Sequence, residues 1–188
     1  MTGTDGAPVA ARLSRFEDAF PGFRSQIVAG SFLLTPVKPF DGATIHTLWD
    51  QLAAQLPEGW ECVSDVAVPF DEDDEFCPDL ALLPAAEVAR NLIAYPPELI
   101  ELAAEVVSPG TAHLDYEVKD QAYARRGIPN YLVLDPYRAH CVTRWNPGPD
   151  GYRGQDTIPY GGKVTVDTRI GRLTIDTADL PVDPGARS

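Results

Sequence analysis

The sequence predicts an α/β fold, and three observations carry that prediction. Short apolar runs of strand character, at residues 77–83, 99–107 and 131–134, alternate with segments of helical periodicity at 43–56 and 114–126. Proline and glycine bound these runs, as at Pro57-Glu58-Gly59 and Ser108-Pro109-Gly110, and cut the chain into short elements. The length of 188 residues fits one domain at the usual ~150 residues each. That domain is assigned to residues 13–180, with flexible tails at 1–12 and 181–188.

Taken in order, residues 13–23 carry Leu13, Phe16, Ala19 and Phe20 at helical spacing before Pro21-Gly22, which predicts a short helix. Residues 25–35 are β-rich and interrupted by Gly30, the pattern of a hairpin turning at Ala29-Gly30. After a loop at 36–42, residues 43–56 place Ile45, Leu48, Leu52 and Leu56 on one face of an amphipathic helix. A strand is expected at 60–69, and the acidic run 71–75 reads as a solvated loop. A strand at 77–83 leads into a polar connection with a helical turn at 84–90. The Glu, Leu and Ala content of 99–107 favours helix by propensity. The flanking Pro96-Pro97 and the Val106-Val107 end make it a central strand instead. The helix at 114–126 ends before Gly127 and Pro129. Strands at 131–134 and 139–145, a turn-rich hairpin loop at 146–154, and strands at 163–167 and 173–176 complete the chain.

Composition narrows the function. A net charge of −13 repels a phosphate backbone unless basic groups are gathered locally, so it counts against broad nucleic-acid affinity. No run approaches the roughly 18 apolar residues of a membrane span, and no signal peptide opens the chain. Cys62, Cys77 and Cys141 are odd in number and lack C-x-x-C spacing, so they read as free thiols in a reducing, cytoplasmic setting. His46, His113 and His140 share no ligand spacing, and Trp49, Trp60 and Trp145 read as packing residues. No G-x-S-x-G occurs, which leaves an ester hydrolase little support.

The chemistry concentrates in residues 78–119. Asp79 and Glu105 each sit in or beside an apolar run that reads as a buried strand. A carboxylate there must be paired, neutralised or bound to a metal, because an isolated buried charge costs several kcal/mol or more. Two acids on neighbouring strands, with the Val106 carbonyl beside them, suit one Mg²⁺ or Mn²⁺. On the following helix Asp115, Lys119, Ala122 and Tyr123 share a face, so Lys119 points inward with Asp115 as its partner and the Tyr123 hydroxyl near the site.

These residues resemble a known pattern. Pro78-Asp79, then Glu105-Val106-Val107-Ser108-Pro109, then Asp115, Lys119 and Tyr123 at four-residue intervals, then Ile128-Pro129-Asn130-Tyr131 and Asp135-Pro136, are similar to the bacterial Uma-two family of the PD-(D/E)xK nuclease superfamily. The resemblance covers about residues 24–145. It implies a restriction-endonuclease-like core, a mixed β-sheet flanked by helices, and an Mg²⁺- or Mn²⁺-dependent endonuclease acting on DNA. The family's metal-binding acids fall on Asp79 and Glu105, and its lysine, moved onto the helix, on Lys119. Two positions depart. Gln26 stands where the family places glutamate, and Asp41 where it places histidine unless His46 substitutes. Gln26 remains a site-lining residue able to hydrogen-bond, but it brings no charge to a cation. With the −13 charge it favours an alternative: a catalytically silent relative acting as an interaction module, as a homodimer.

Overall fold

The computed structural model describes residues 23–183. The tail expected at 1–12, residues 13–22 of the helix expected at 13–23, and residues 184–188 of the tail expected at 181–188 lie outside these residues, while the Asp183 N–H donates to the Pro136 carbonyl at 2.9 Å. The chain opens with β1 (Phe23–Val28) and β2 (Ser31–Pro36), a hairpin turning at Ala29-Gly30, both at positive φ. Helix α1 (Pro39–Ala53) follows, then β3 (Trp60–Val63), β4 (Val68–Pro69), β5 (Glu75–Phe76) and β6 (Leu80–Pro84). A helical turn, α2 (Ala85–Val88), and a 3-10 turn at Pro97–Leu99 lead to β7 (Leu102–Val106). A π-helical turn at Leu114–Val118 runs into α3 (Lys119–Arg125). The chain then forms β8 (Asn130–Asp135), β9 (His140–Gly148), β10 (Gly151–Pro159), β11 (Lys163–Thr168) and β12 (Gly171–Asp176).

Six strands form the main sheet in the order β10-β9-β8-β7-β6-β3. Only β7 and β8 pair in parallel there, joined by α3, while every other neighbour is antiparallel. A parallel pair needs such a crossover, and residues 107–129 supply it. This is the mixed sheet flanked by helices that the resemblance implies. Its two faces differ. Leu80, Leu82, Leu102, Ala104, Leu132 and Leu134 pack toward Leu48 and Leu52 of α1 and toward β11 and β12. Ala81, Leu83, Ala103, Tyr131 and Val133 pack toward Tyr123 and Ala122 of α3. The hairpin β1–β2 joins β5 and β4 in a separate four-stranded sheet.

Several boundaries differ from expectation, each for a local reason. Helix α1 begins at Pro39 rather than residue 43, because proline suits a first helical turn and Asp41 Oδ2 accepts the Lys38 N–H at 3.0 Å. The strand expected at 60–69 breaks at Asp65, whose φ of 54° ends the extended run, and its halves enter different sheets. The acidic run turns tightly as Asp71 accepts the N–H groups of Asp73 and Asp74, but Glu75 is fully buried in β5. The strand expected at 77–83 starts at Leu80, leaving Asp79 just ahead of it. The loop expected at 146–154 is mostly strand. There the Trp145 indole lies on Gly154 so closely that any side chain at 154 would collide with it. Trp145 is 40% exposed and packs on the facing strand, as a strand-packing residue outside the core.

Candidate active site

The β6–β7 register pairs Leu80 with Ala104, so one step further along it sets Asp79 opposite Glu105. Strand alternation places both on the α3 side of the sheet, the side of Ala81 and Ala103. Each is 1% exposed. Like charges directly opposite destabilise a strand pair, so the surroundings must compensate, and they do so with two cations. Lys119 Nζ lies 2.8 Å from Glu105 Oε2 and 3.0 Å from Asp115 Oδ1. Arg24 of β1 sets its guanidinium against Asp79 Oδ1 and has the exposed Asp65 on its other side at 3.6 Å.

Hydrogen bonds hold the acids in place. The Val106 N–H donates to Asp79 Oδ2 at 2.6 Å, and the Tyr123 hydroxyl donates to Glu105 Oε1 at 2.7 Å. The Tyr131 hydroxyl donates to the Asp115 carbonyl at 2.7 Å, and the Thr111 hydroxyl to Asp115 Oδ2 at 3.3 Å. The spacing 115, 119, 123 works as the helical pattern predicts, since side chains four apart stack on one face.

Burial dominates the electrostatics. It pushes the Asp79 carboxyl up to about 8, reinforced by Glu105 and opposed by Arg24, Lys119 and the Val106 N–H. Burial also raises Asp115 to about 6, against the pull of Lys119. For Lys119 burial acts downward, yet Asp115, Glu105 and Asp79 outweigh it, so the ammonium is held more firmly protonated than an ordinary lysine. Arg24 behaves alike, with burial outweighed by Asp79, Glu105, Asp65 and Asp41.

A cavity of about 10 Å³ opens among these groups, room for about one water-sized body. Of the residues singled out in the sequence, Asp79, Glu105, Val106, Lys119, Gln26 and Asp115 all line it, and Tyr123 reaches it through Glu105. Four lining carboxylates (Asp41, Asp79, Glu105, Asp115) face two cations (Arg24, Lys119), which leaves two negative charges when all are ionised. That balance and an oxygen-only donor set fit a hard divalent cation such as Mg²⁺ or Mn²⁺. Among the described residues no three His, Cys, Asp or Glu side chains gather into a metal-holding group. Amide and backbone oxygens and water would therefore complete any ion's shell.

Sequence reasoning missed Arg24 as a site residue, along with Ser108 and Thr111, which also line the cavity. A signal for Arg24 existed: it lies two residues from Gln26 on one strand, hence on the same face. Asp41 lines the cavity from the first turn of α1, whereas His46 is exposed and does not take its place. His113 is likewise exposed, 3.3 Å from Glu117, and His140 meets the Tyr116 hydroxyl at 2.9 Å.

A mixed sheet with two opposed acids and a lysine on its helix-covered face belongs to the restriction-endonuclease-like class of folds. Residues 11–178 match the Uma2 family, whose description reads "Putative restriction endonuclease", and the chain belongs to that family. A crystal structure described as "a putative nuclease belonging to DUF820", from Anabaena variabilis ATCC 29413, is similar in fold with a TM-score of 0.59. The identity is 12%, over 76% of this chain and 79% of that one. No curated protein matches the sequence. Among the described residues no helix is long and apolar enough to cross a membrane.

Proposed function

We propose that the chain is a divalent-cation-dependent endonuclease that hydrolyses phosphodiester bonds in nucleic acid, with DNA the favoured substrate. The observation that carries this reading is the meeting of Asp79, Glu105 and Lys119 in one cleft, with Lys119 Nζ 2.8 Å from Glu105. Asp79, Glu105 and the Val106 carbonyl would hold Mg²⁺ or Mn²⁺ at its edge. When bound, such an ion makes its water more acidic and polarises a phosphoryl oxygen. The residues of the chain do the rest. Lys119, kept protonated by three carboxylates, offsets negative charge growing on phosphorus and orients the attacking water. The Val106 N–H and the Tyr123 hydroxyl fix the two acids so that neither reorganises as charge develops. The lining carries two more carboxylates than cations, so a bound divalent ion would neutralise the cleft for an approaching phosphate.

The test is cleavage of supercoiled plasmid DNA by the full-length protein with Mg²⁺ or Mn²⁺ and with a chelator. Ion-dependent nicking is expected, falling by about 100-fold or more in Asp79→Ala and in Glu105→Ala, the scale on which removal of a preorganised charge-stabilising group acts. Undiminished cleavage by both variants would sink the site. One observation favours a second reading: Arg24 already neutralises Asp79 from within the chain. A silent relative serving as a dimerisation module would cleave no nucleic acid under any ion and would sediment as a stable homodimer.

A further inference from the structure

Among the described residues, two buried oxygen acceptors in this cleft have no hydrogen-bond donor, Gln26 Oε1 and Asp41 Oδ1, and a third, Asp79 Oδ1, has the Arg24 guanidinium as its partner. Asp79 is 1% exposed and the other two are 3% exposed. They come from three separate elements: the approach to β6, the middle of β1, and the first turn of α1. All three residues line the one small cavity. A buried acceptor left without a partner costs about 1–3 kcal/mol, and more when charged. Two such acceptors around one void, beside a carboxylate held by Arg24, mark a place for something that accepts electron pairs.

The other oxygens nearby are already engaged. Glu105 Oε1 takes the Tyr123 hydroxyl and Oε2 the Lys119 ammonium. Asp79 Oδ2 takes the Val106 N–H. Asp41 Oδ2 takes the Lys38 N–H at 3.0 Å and the Ser108 hydroxyl at 3.1 Å, which fixes the carboxylate plane and leaves Oδ1 as its uncommitted oxygen. Asp79 Oδ1 takes the Arg24 guanidinium.

We propose that Asp41 and Gln26 complete the cation site, binding a hard divalent ion through Asp41 Oδ1 and Gln26 Oε1 beside Asp79. The inference rests on the metal-dependent reading above and deepens it, because it adds ligands from the β1 hairpin and α1 to the ion's protein shell. Gln26 binds through its amide oxygen, and Asp41 supplies a carboxylate charge on the cavity wall. An all-oxygen set of this kind takes Mg²⁺ or Mn²⁺ in preference to thiophilic ions.

Calorimetric titration of Mn²⁺ into the full-length protein tests it without reference to activity. Asp41→Asn is expected to weaken binding about 10-fold or more, and Gln26→Glu to tighten it several-fold. Ser108→Ala loosens the Asp41 carboxylate plane but leaves Oδ1 in place, so it should weaken binding by less than Asp41→Asn does. Circular dichroism of each ion-free variant separates a lost ligand from a lost fold. Equal Mn²⁺ affinity in wild type and a folded Asp41→Asn, with binding abolished in Asp79→Ala, overturns this inference alone and leaves water in the cavity. Absence of Mn²⁺ binding by the wild type overturns both it and the metal-dependent reading.

Discussion

The two faces of the main sheet are built from alternate residues of the same strands, yet they do different work. On β7, Leu102, Ala104 and Val106 join a core that includes α1, β11 and β12, while Ala103 and Glu105 face α3. The first face is apolar throughout and gains from burial in proportion to area. The second buries Asp79, Glu105, Asp115 and Lys119, all under 5% exposed. Ion pairs buried this deeply rarely stabilise more than well-packed apolar groups of the same size, because desolvation consumes most of the Coulombic gain. Both faces hold the sheet by apolar burial, and only the second adds a buried charged cluster, the group we propose as the site. Retaining a charged cluster where hydrophobes would fold as well is what the proposed site requires.

The sharpest way to break that contrast is to remove its central cation. Lys119→Met strips both Glu105 and Asp115 of their nearest positive charge. It is expected to destabilise the ion-free protein by about 3–5 kcal/mol, the usual effect of leaving a buried charge unpaired. Adding Glu105→Gln to that variant should recover part of the loss, read from urea unfolding midpoints. A double variant no better than the single would mean that the cluster is hydrated rather than dry. On the opposite face Leu132→Ala empties a fully buried position and is expected to cost about 3 kcal/mol. No companion substitution of a charged residue should relieve it, because the cavity it leaves is apolar.

How far the sequence reveals these faces depends on the range of the interactions. The apolar face is legible because period-two strands and the Leu48 and Leu52 spacing on α1 are local patterns. The group Asp115, Lys119 and Tyr123 is legible for the same reason, being one helical stripe. Arg24 and Asp41 are not: they meet Asp79 and Ser108 only through long-range packing of the hairpin and α1 against the sheet. Glu75 hides inside an acidic run whose other members form an ordinary solvated turn. Strand β10 carries little apolar alternation and is largely exposed, so its extended form comes from pairing with β9 and not from its own residues. The two-residue strands β4 and β5 are too short to leave any periodic trace.

The smallest of these effects per step, and the one that separates the faces most cleanly, is the response of stability to pH. In the ion-free protein burial lifts the Asp79 carboxyl to about 8 and Asp115 to about 6, whereas in the unfolded chain both return to about 3.9. Between those values the folded state keeps protons that the unfolded state has released. Stability therefore falls as pH rises: through both groups from about pH 4 to 6, then through Asp79 alone up to about 8, and no further beyond it. Each group contributes at most about 1.4 kcal/mol per pH unit. Urea unfolding across this range in chelator should show the decline. Asp115→Asn should flatten its lower part and Asp79→Asn its upper part. Leu132→Ala should shift the whole curve down without changing its shape, since burial holds the Cys62 and Cys141 thiols of the apolar face well above this pH range. An upper slope that survives in Asp79→Asn would assign the retained proton to another group and weaken the view that Asp79 is the most strained acid of the cluster.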